Sequence, residues 1–386
     1  MAPPRLPQSL AALVAALVCM HANMAATRVA ATLWLLQNGY AEIWVGALLG
    51  LFGLGPLLLA LWAGRQADRH GLQRPLRVAM GLGVLGAAAA WIHPNLASLA
   101  VAALACGGGL AVAIVAIQRE AGHLAGEGGD LRRVFSWVAL GPGLSNAAVP
   151  PLVGLLIDHA GYGWAFALAL AMPVWAWLLT RNLPTRAPAA ASEPPPPAWS
   201  LLRSPLLRRL LLVNLALSSC WDAHSLVAPV LGHARGYSAA AIGLILGSFA
   251  VAATLVRLVI ARWAERLSER VALRAAMLVA AAGALAYAAL PGVAGLAAGA
   301  AVLGLALGSV QPMILSLLHQ VTPAARHGQA LGLRMLMVNA TTLFMPLLFG
   351  WLAAQVAPGA PLWLMALVVL AGRTMVPHEH APSATR

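Results

Sequence analysis

Asp222 and His224 stand two positions apart in the stretch CWDAHS, inside a long apolar run. A carboxyl withdrawn from water near an imidazole is suited to loading and releasing a proton. A second polar set, His21, Asn23 and Arg28, interrupts the first apolar run. His21 and His224 are candidates to share or tune a proton held by Asp222. Arg28 is a candidate either to bind an anionic substrate or to neutralise Asp222, and the sequence leaves both roles open. Four uncharged amides, Gln118, Asn146, Gln311 and Asn339, join Asn23 as candidates to hydrogen-bond a small-molecule substrate or a neighbouring helix.

These residues need apolar elements to hold them. Apolar types make up 61% of the chain, against roughly 45–50% in soluble domains, and the mean hydropathy is +0.82. The expectation is an all-α integral membrane protein. Twelve apolar runs reach or approach the ~20 residues that a helix needs to cross the hydrocarbon core. They cover residues 9–34, 42–63, 76–93, 97–119, 134–157, 163–182, 208–231, 239–260, 271–291, 294–319, 328–354 and 361–376. The first run is read as a spanning helix rather than a cleaved signal, because its apolar pattern continues through TRVAATLWLL. Trp34, Trp44, Trp91 and Trp363 fall near run ends, as interface anchors do.

The net charge of +13 comes from arginine, as the sequence contains no lysine. The arginines lie in short clusters between apolar runs, which speaks for topology and against a nucleic-acid partner. They crowd the loops after even-numbered runs, as in Arg65, Arg69, Arg74 and Arg77, so those loops and both termini are expected in the cytoplasm. The alanine- and arginine-rich, lysine-free composition points to a GC-rich bacterial coding bias and hence to the inner membrane. Residues 183–207, with the run EPPPP, read as a stiff linker between a six-helix half at 1–182 and another at 208–386. The halves echo each other. GRQADR at Gly64 resembles ARWAER at Ala261, an offset of 197, and the glycine ending PPLVG at 154 matches that ending MPLLFG at 350, an offset of 196.

The loop sequence GRQADRHGLQRP, with twelve spans and a central linker, resembles the major facilitator superfamily. Gly64, Asp68, Arg69 and Gly71 match the family's Gly-x-x-x-Asp-Arg-x-Gly pattern between spans 2 and 3. Leu72 departs from it, with Arg74 two positions on as a substitute charge. The resemblance implies two pseudo-symmetric halves with a central cavity lined by spans 1, 4, 7 and 10. It also implies a cytoplasmic gate in which Asp68 meets the N-terminus of span 11, with Glu120 pairing a motif arginine. Gly141 and Pro142 in span 5 resemble the motif of the proton-driven export branch, although Ser145 and Asn146 stand where that branch tends to carry further glycine.

The function expected is proton-coupled export of a small organic compound by a monomer, with no cofactor. Proton-coupled uptake of an organic anion and a non-transporting sensor are the alternatives. Without lysine the chain cannot form a phosphate-binding Gly-Lys-Ser/Thr loop, and it has neither HExxH nor GxSxG, so an enzyme is not expected. Cys19, Cys106 and Cys220 lack metal or disulfide spacing and read as small core residues. His378 and His380 fall in a short polar tail, and His319 sits at a helix end as an interfacial residue.

Overall fold

The computed structural model describes residues 8–126, 131–184, 198–263, 268–323 and 326–376. Twelve α-helices follow the apolar runs: α1 Gln8–Gln37, α2 Glu42–His70, α3 Gln73–Ile92, α4 Leu96–Gly126, α5 Leu131–Ala160, α6 Tyr162–Thr180, α7 Pro205–Ala234, α8 Ala239–Trp263, α9 Glu269–Tyr287, α10 Gly292–Val321, α11 His327–Gln355 and α12 Ala360–Gly372. Among the described residues, ten helices are long and apolar enough to cross a membrane. α5, which carries three prolines, and the 13-residue α12 complete the set. Prolines also lie inside α2, α6, α7, α10 and α11. Neighbouring helices can satisfy the backbone groups that such prolines release.

Several boundaries differ from the sequence reading: α4 runs past 119 to Gly126, and the expected linker at 183–207 holds a 3-10 turn at Ala198–Arg203 and the start of α7 at Pro205. The Gly64–Arg74 motif was expected in a loop, but α2 runs on to His70 and leaves only Gly71 and Leu72 as a turn. No proline interrupts Gly64–His70, so the helix continues until Gly71, whose φ of 64° ends it.

α1–α6 and α7–α12 form two halves that meet along two seams, α2 against α11 and α5 against α8. Backbone approaches backbone there. A Cβ added at Gly50 would lie 2.7 Å from Leu343 O, and one at Gly53 would lie 2.7 Å from Thr342 C. In the other seam a Cβ at Gly243 would lie 2.8 Å from Pro150 C, and one at Gly154 would lie 2.7 Å from Ala239 C. The seams are copies of each other. Gly46, Gly50 and Phe52 of α2 recur as Gly243, Gly247 and Phe249 of α8, each number raised by 197. The same step relates Gly107, seated on Phe52 O, to Gly304, seated on Phe249 O. Small residues let membrane helices approach this closely, so the duplication is preserved where close approach requires it.

The seams close the arginine-poor end. The Asp158 carboxylate, at the end of α5, accepts hydrogen bonds from Ala239 N at 3.0 Å and Ala240 N at 2.8 Å. It thereby caps α8 of the other half. At the arginine-rich end, an added Cβ at Gly64 of α2 or Gly332 of α11 would have nothing within 4 Å. Neither glycine is pressed by the other half, so that end is open at these two positions.

Candidate substrate and proton site

Between the halves lies a cavity of about 470 Å³, lined from α1, α2, α5, α7, α8, α10 and α11. The size suits a small organic ligand. α1 contributes His21, Met24, Ala25, Arg28, Val29 and Thr32, a one-face helical repeat. α7 contributes Asn214, Ser218, Trp221, Asp222, His224 and Ser225 among others. Among the described residues no lining position comes from α4, which packs against α1, α2, α3 and α5. This departs from the lining by spans 1, 4, 7 and 10 implied by resemblance: α5, α8 and α11 share the wall instead.

Asp222 is 7% exposed and the only acid among the described lining residues. Its Oδ2 lies 3.4 Å from Thr342 Oγ1, whose single hydroxyl hydrogen is shared between this carboxylate and the nearer Val338 O at 3.1 Å. Arg28 is within electrostatic reach of it, and Arg28 Nη2 is buried with no hydrogen-bond partner. His224 lies flat on Phe249, ring centroids 4.4 Å apart, and meets Tyr287 edge-on at 5.3 Å. Nε2 of His224 and of His21 are both buried without partners. Asn146 and Gln311 complete the polar set expected from sequence that reaches the cavity.

Three expected substrate contacts do not reach it. Asn23 points away from the cavity: its Nδ2 donates to Ala169 O at 2.9 Å and Gly83 O at 3.4 Å, tying α1 to α6 and α3. Gln118 is exposed on α4, and Asn339 sits on α11 beside the lining positions Met335, Val338 and Thr342 without joining them. Helix rotation separates these amides from Asn146 and Gln311.

Two cavity residues that the sequence reading passed over are Arg257 of α8 and Arg334 of α11. Arg334 is 8% exposed, and its Nε donates to Asn214 Oδ1 at 3.1 Å. Arg257 Nε donates to Gly308 O at 3.3 Å, and its guanidinium stands 5.9 Å from the Trp221 ring centroid. Both interrupt apolar runs, which was the available signal.

The motif residues lie outside the cavity. Gly71 is buried in the α2–α3 turn, Arg69 and Arg74 are exposed, and Glu120 is buried on α4. The Asp68 side chain lies outside the described residues. Gly64 makes no close helix approach in this conformation.

Two duplicated six-helix bundles around a polar cavity define the architecture of a secondary membrane transporter. The chain belongs to the major facilitator superfamily, whose sequence profile matches residues 13–293 and 210–384. No curated protein matches it in sequence. Solved structures share the fold at low identity. A crystal structure of the nucleoside transporter NupG aligns with a TM-score of 0.77 at 14% identity, covering 96% of this chain and 99% of that one. A bacterial homologue of the iron transporter ferroportin, in an inward-facing state, aligns at 0.74 and 17%, covering 97% and 98%. A transporter of the POT family, in complex with a thioalcohol-conjugated peptide, aligns at 0.77 and 13%, covering 96% and 95%. The chain is thus a multi-pass membrane transporter. Among the described residues no group of three or more His, Cys, Asp or Glu is placed to hold a metal ion.

Proposed function

We propose that this chain is a proton-coupled secondary transporter that exports a small organic compound by alternating access. It works as a monomer in a bacterial inner membrane. Residues 1–182 and 208–386 are its two moving halves. Residues 183–207 and both termini lie in the cytoplasm, as the arginine distribution supports. The end open at Gly64 and Gly332 then faces the cytoplasm, and the conformation is inward-open.

The observation that carries proton coupling is the contact of Thr342 with Asp222. The backbone of Thr342 is the surface on which Gly53 of α2 rests. A proton taken up by Asp222 removes the charge that draws both Thr342 Oγ1 and Arg28. The protonation state is thereby felt at the seam that must part when the protein opens outward. His21 and His224, each with a bare Nε2 at the cavity, are placed to relay the proton. In the opposite conformation Gly64, Asp68, Arg69, Gly71, Arg74 and Glu120 form the cytoplasmic gate, with Asp68 against the positive N-terminal end of α11.

Outward direction is supported by the resemblance of Gly141 and Pro142 to the motif of the export branch. Gly143, just after them, sits at the α5–α8 seam, where a Cβ would lie 2.9 Å from Thr254 Oγ1. The test is proton flux in proteoliposomes challenged with matched aromatic acids, amides and amidines. Proton movement opposite to the compound is expected, and Asp222→Asn should abolish dependence on the proton gradient while counterflow exchange survives. Movement in the same direction would establish uptake. Unchanged gradient dependence in Asp222→Asn would place coupling elsewhere.

A further inference from the structure

The cavity wall carries three guanidinium groups, Arg28, Arg257 and Arg334, against one carboxylate, Asp222. Arg28 has a bare buried nitrogen. Among the described residues, the side-chain partner of Arg334 is the neutral amide of Asn214. Arg257 is held by a carbonyl and faces an indole. Even with Asp222 ionised, the wall carries two positive charges in excess. Buried charge without counter-charge is costly, and a guanidinium fork matches an oxyanion in geometry as well as charge.

The arginines are spread along the cavity. Arg334 is level with Asn214 of α7, Arg257 with Trp221, and Arg28 stands near Asp222. From Asn214 to Asp222 is eight residues of α7, about 12 Å at 1.5 Å per residue. Arg334 lies nearer the open end, so an entering ligand meets it first. Between the charges the wall is apolar and aromatic, with Trp221, Phe249, Leu217 and Val310.

We infer that the substrate is an organic carboxylate with an apolar, aromatic-sized body, handed from Arg334 and Arg257 inward to Arg28. A cationic compound is excluded by the same wall. This substrate class rests on the transport reading above, but its charge test does not require transport.

Ser218 is half-buried in the cavity lining on α7. Ser218→Cys, placed in a Cys19→Ser background because Cys19 is the least buried native thiol, reports the local potential. Its modification rate is measured with sulfonatoethyl and trimethylammonioethyl methanethiosulfonate and normalised to a free thiol. The anionic reagent should be favoured by roughly tenfold or more. The preference should collapse in Arg257→Gln/Arg334→Gln, survive in Arg334→Lys and rise in Asp222→Asn. Benzoate should protect the thiol where benzamidinium does not. A normalised ratio at or below one, or a ratio indifferent to the arginine and aspartate changes, overturns the inference. The two readings fail separately. An anion-selective ratio without any proton flux sinks transport coupling alone. Proton flux driven by benzamidinium, with no anionic preference, sinks the substrate class alone.

Discussion

Gly46→Ala adds one methyl group where the two halves touch. Its Cβ would press on Pro346 O, lie 3.0 Å from Gly350 Cα and lie 3.1 Å from Gly350 N. Carbon contacts are comfortable at about 3.5–4.0 Å, so α2 and α11 must part there by roughly 0.5–1 Å. Overpacking of this kind costs about 1–3 kcal/mol. Alanine gains up to about 1 kcal/mol of helix propensity over glycine, but α2 is helical in either transport state, so that gain cancels between them. The whole clash therefore biases the conformational equilibrium, by roughly 5–150-fold toward the state with the arginine-poor end open. Spin labels at Asn38 and His233, exposed in opposite halves at that end, would read this as a shift of the interlabel distance distribution to longer values. Gly64→Ala is the paired control. Its Cβ meets nothing within 4 Å here, so this conformation should tolerate it, while a cytoplasmic gate that closes over Gly64 should not. The two substitutions should move the distribution in opposite directions. Unchanged distributions and full transport in Gly46→Ala, or a shift of the same sign in both variants, would refute the seam argument.

Asp158→Ala removes the cap that α5 places on α8 and should weaken closure of the arginine-poor end by about 1 kcal/mol, visible with the same label pair. Asp68→Asn should impair transport while leaving membrane insertion intact, and full activity would remove the cytoplasmic gate from the mechanism. Asn23→Ala strips two hydrogen bonds buried among α1, α3 and α6. It should lower thermal stability by about 1–3 kcal/mol with substrate affinity retained, and an affinity loss without destabilisation would return Asn23 to the binding site.

The twelve helices were legible because each is an apolar run bounded by polar turns, and membrane thickness sets a minimum length that few other segments reach. Facing was harder to read. His21 and Arg28 are seven residues apart, close to two full turns, and share the cavity face. Asn23, two residues from His21, is rotated to the far side. That distinction was open to helical periodicity. The fates of Asn339 and Gln118 were not, since they depend on how α11 and α4 rotate within their bundles. Arg257 and Arg334 were obscured by the topological pattern. Arginine clusters at run ends mark orientation, and in a chain whose only basic long side chain is arginine, two that lie within runs look like more of the same. The α2 extension was hidden because a charged stretch reads as loop until one asks which residue would break the helix.

The seams of the arginine-poor end are built from peptide backbone set against peptide backbone, with Asp158 at their rim as the directional contact between halves. Most backbone groups inside these helices already have their partners, the carbonyls released by Pro150, Pro151 and Pro346 excepted, so parting the seams strands few buried donors or acceptors. Separation at the rim exchanges two amide bonds to Asp158 for bonds to water. Ser238 Oγ keeps the amide of Ala241 in both cases. Such a joint behaves as a dry bearing with a wet catch: its faces slide apart with little polar loss, and its release is governed by one solvent-exposed carboxylate. The medium at the arginine-poor end therefore has a handle on this conformation. Loss of that carboxylate would loosen the closed end without altering the cavity.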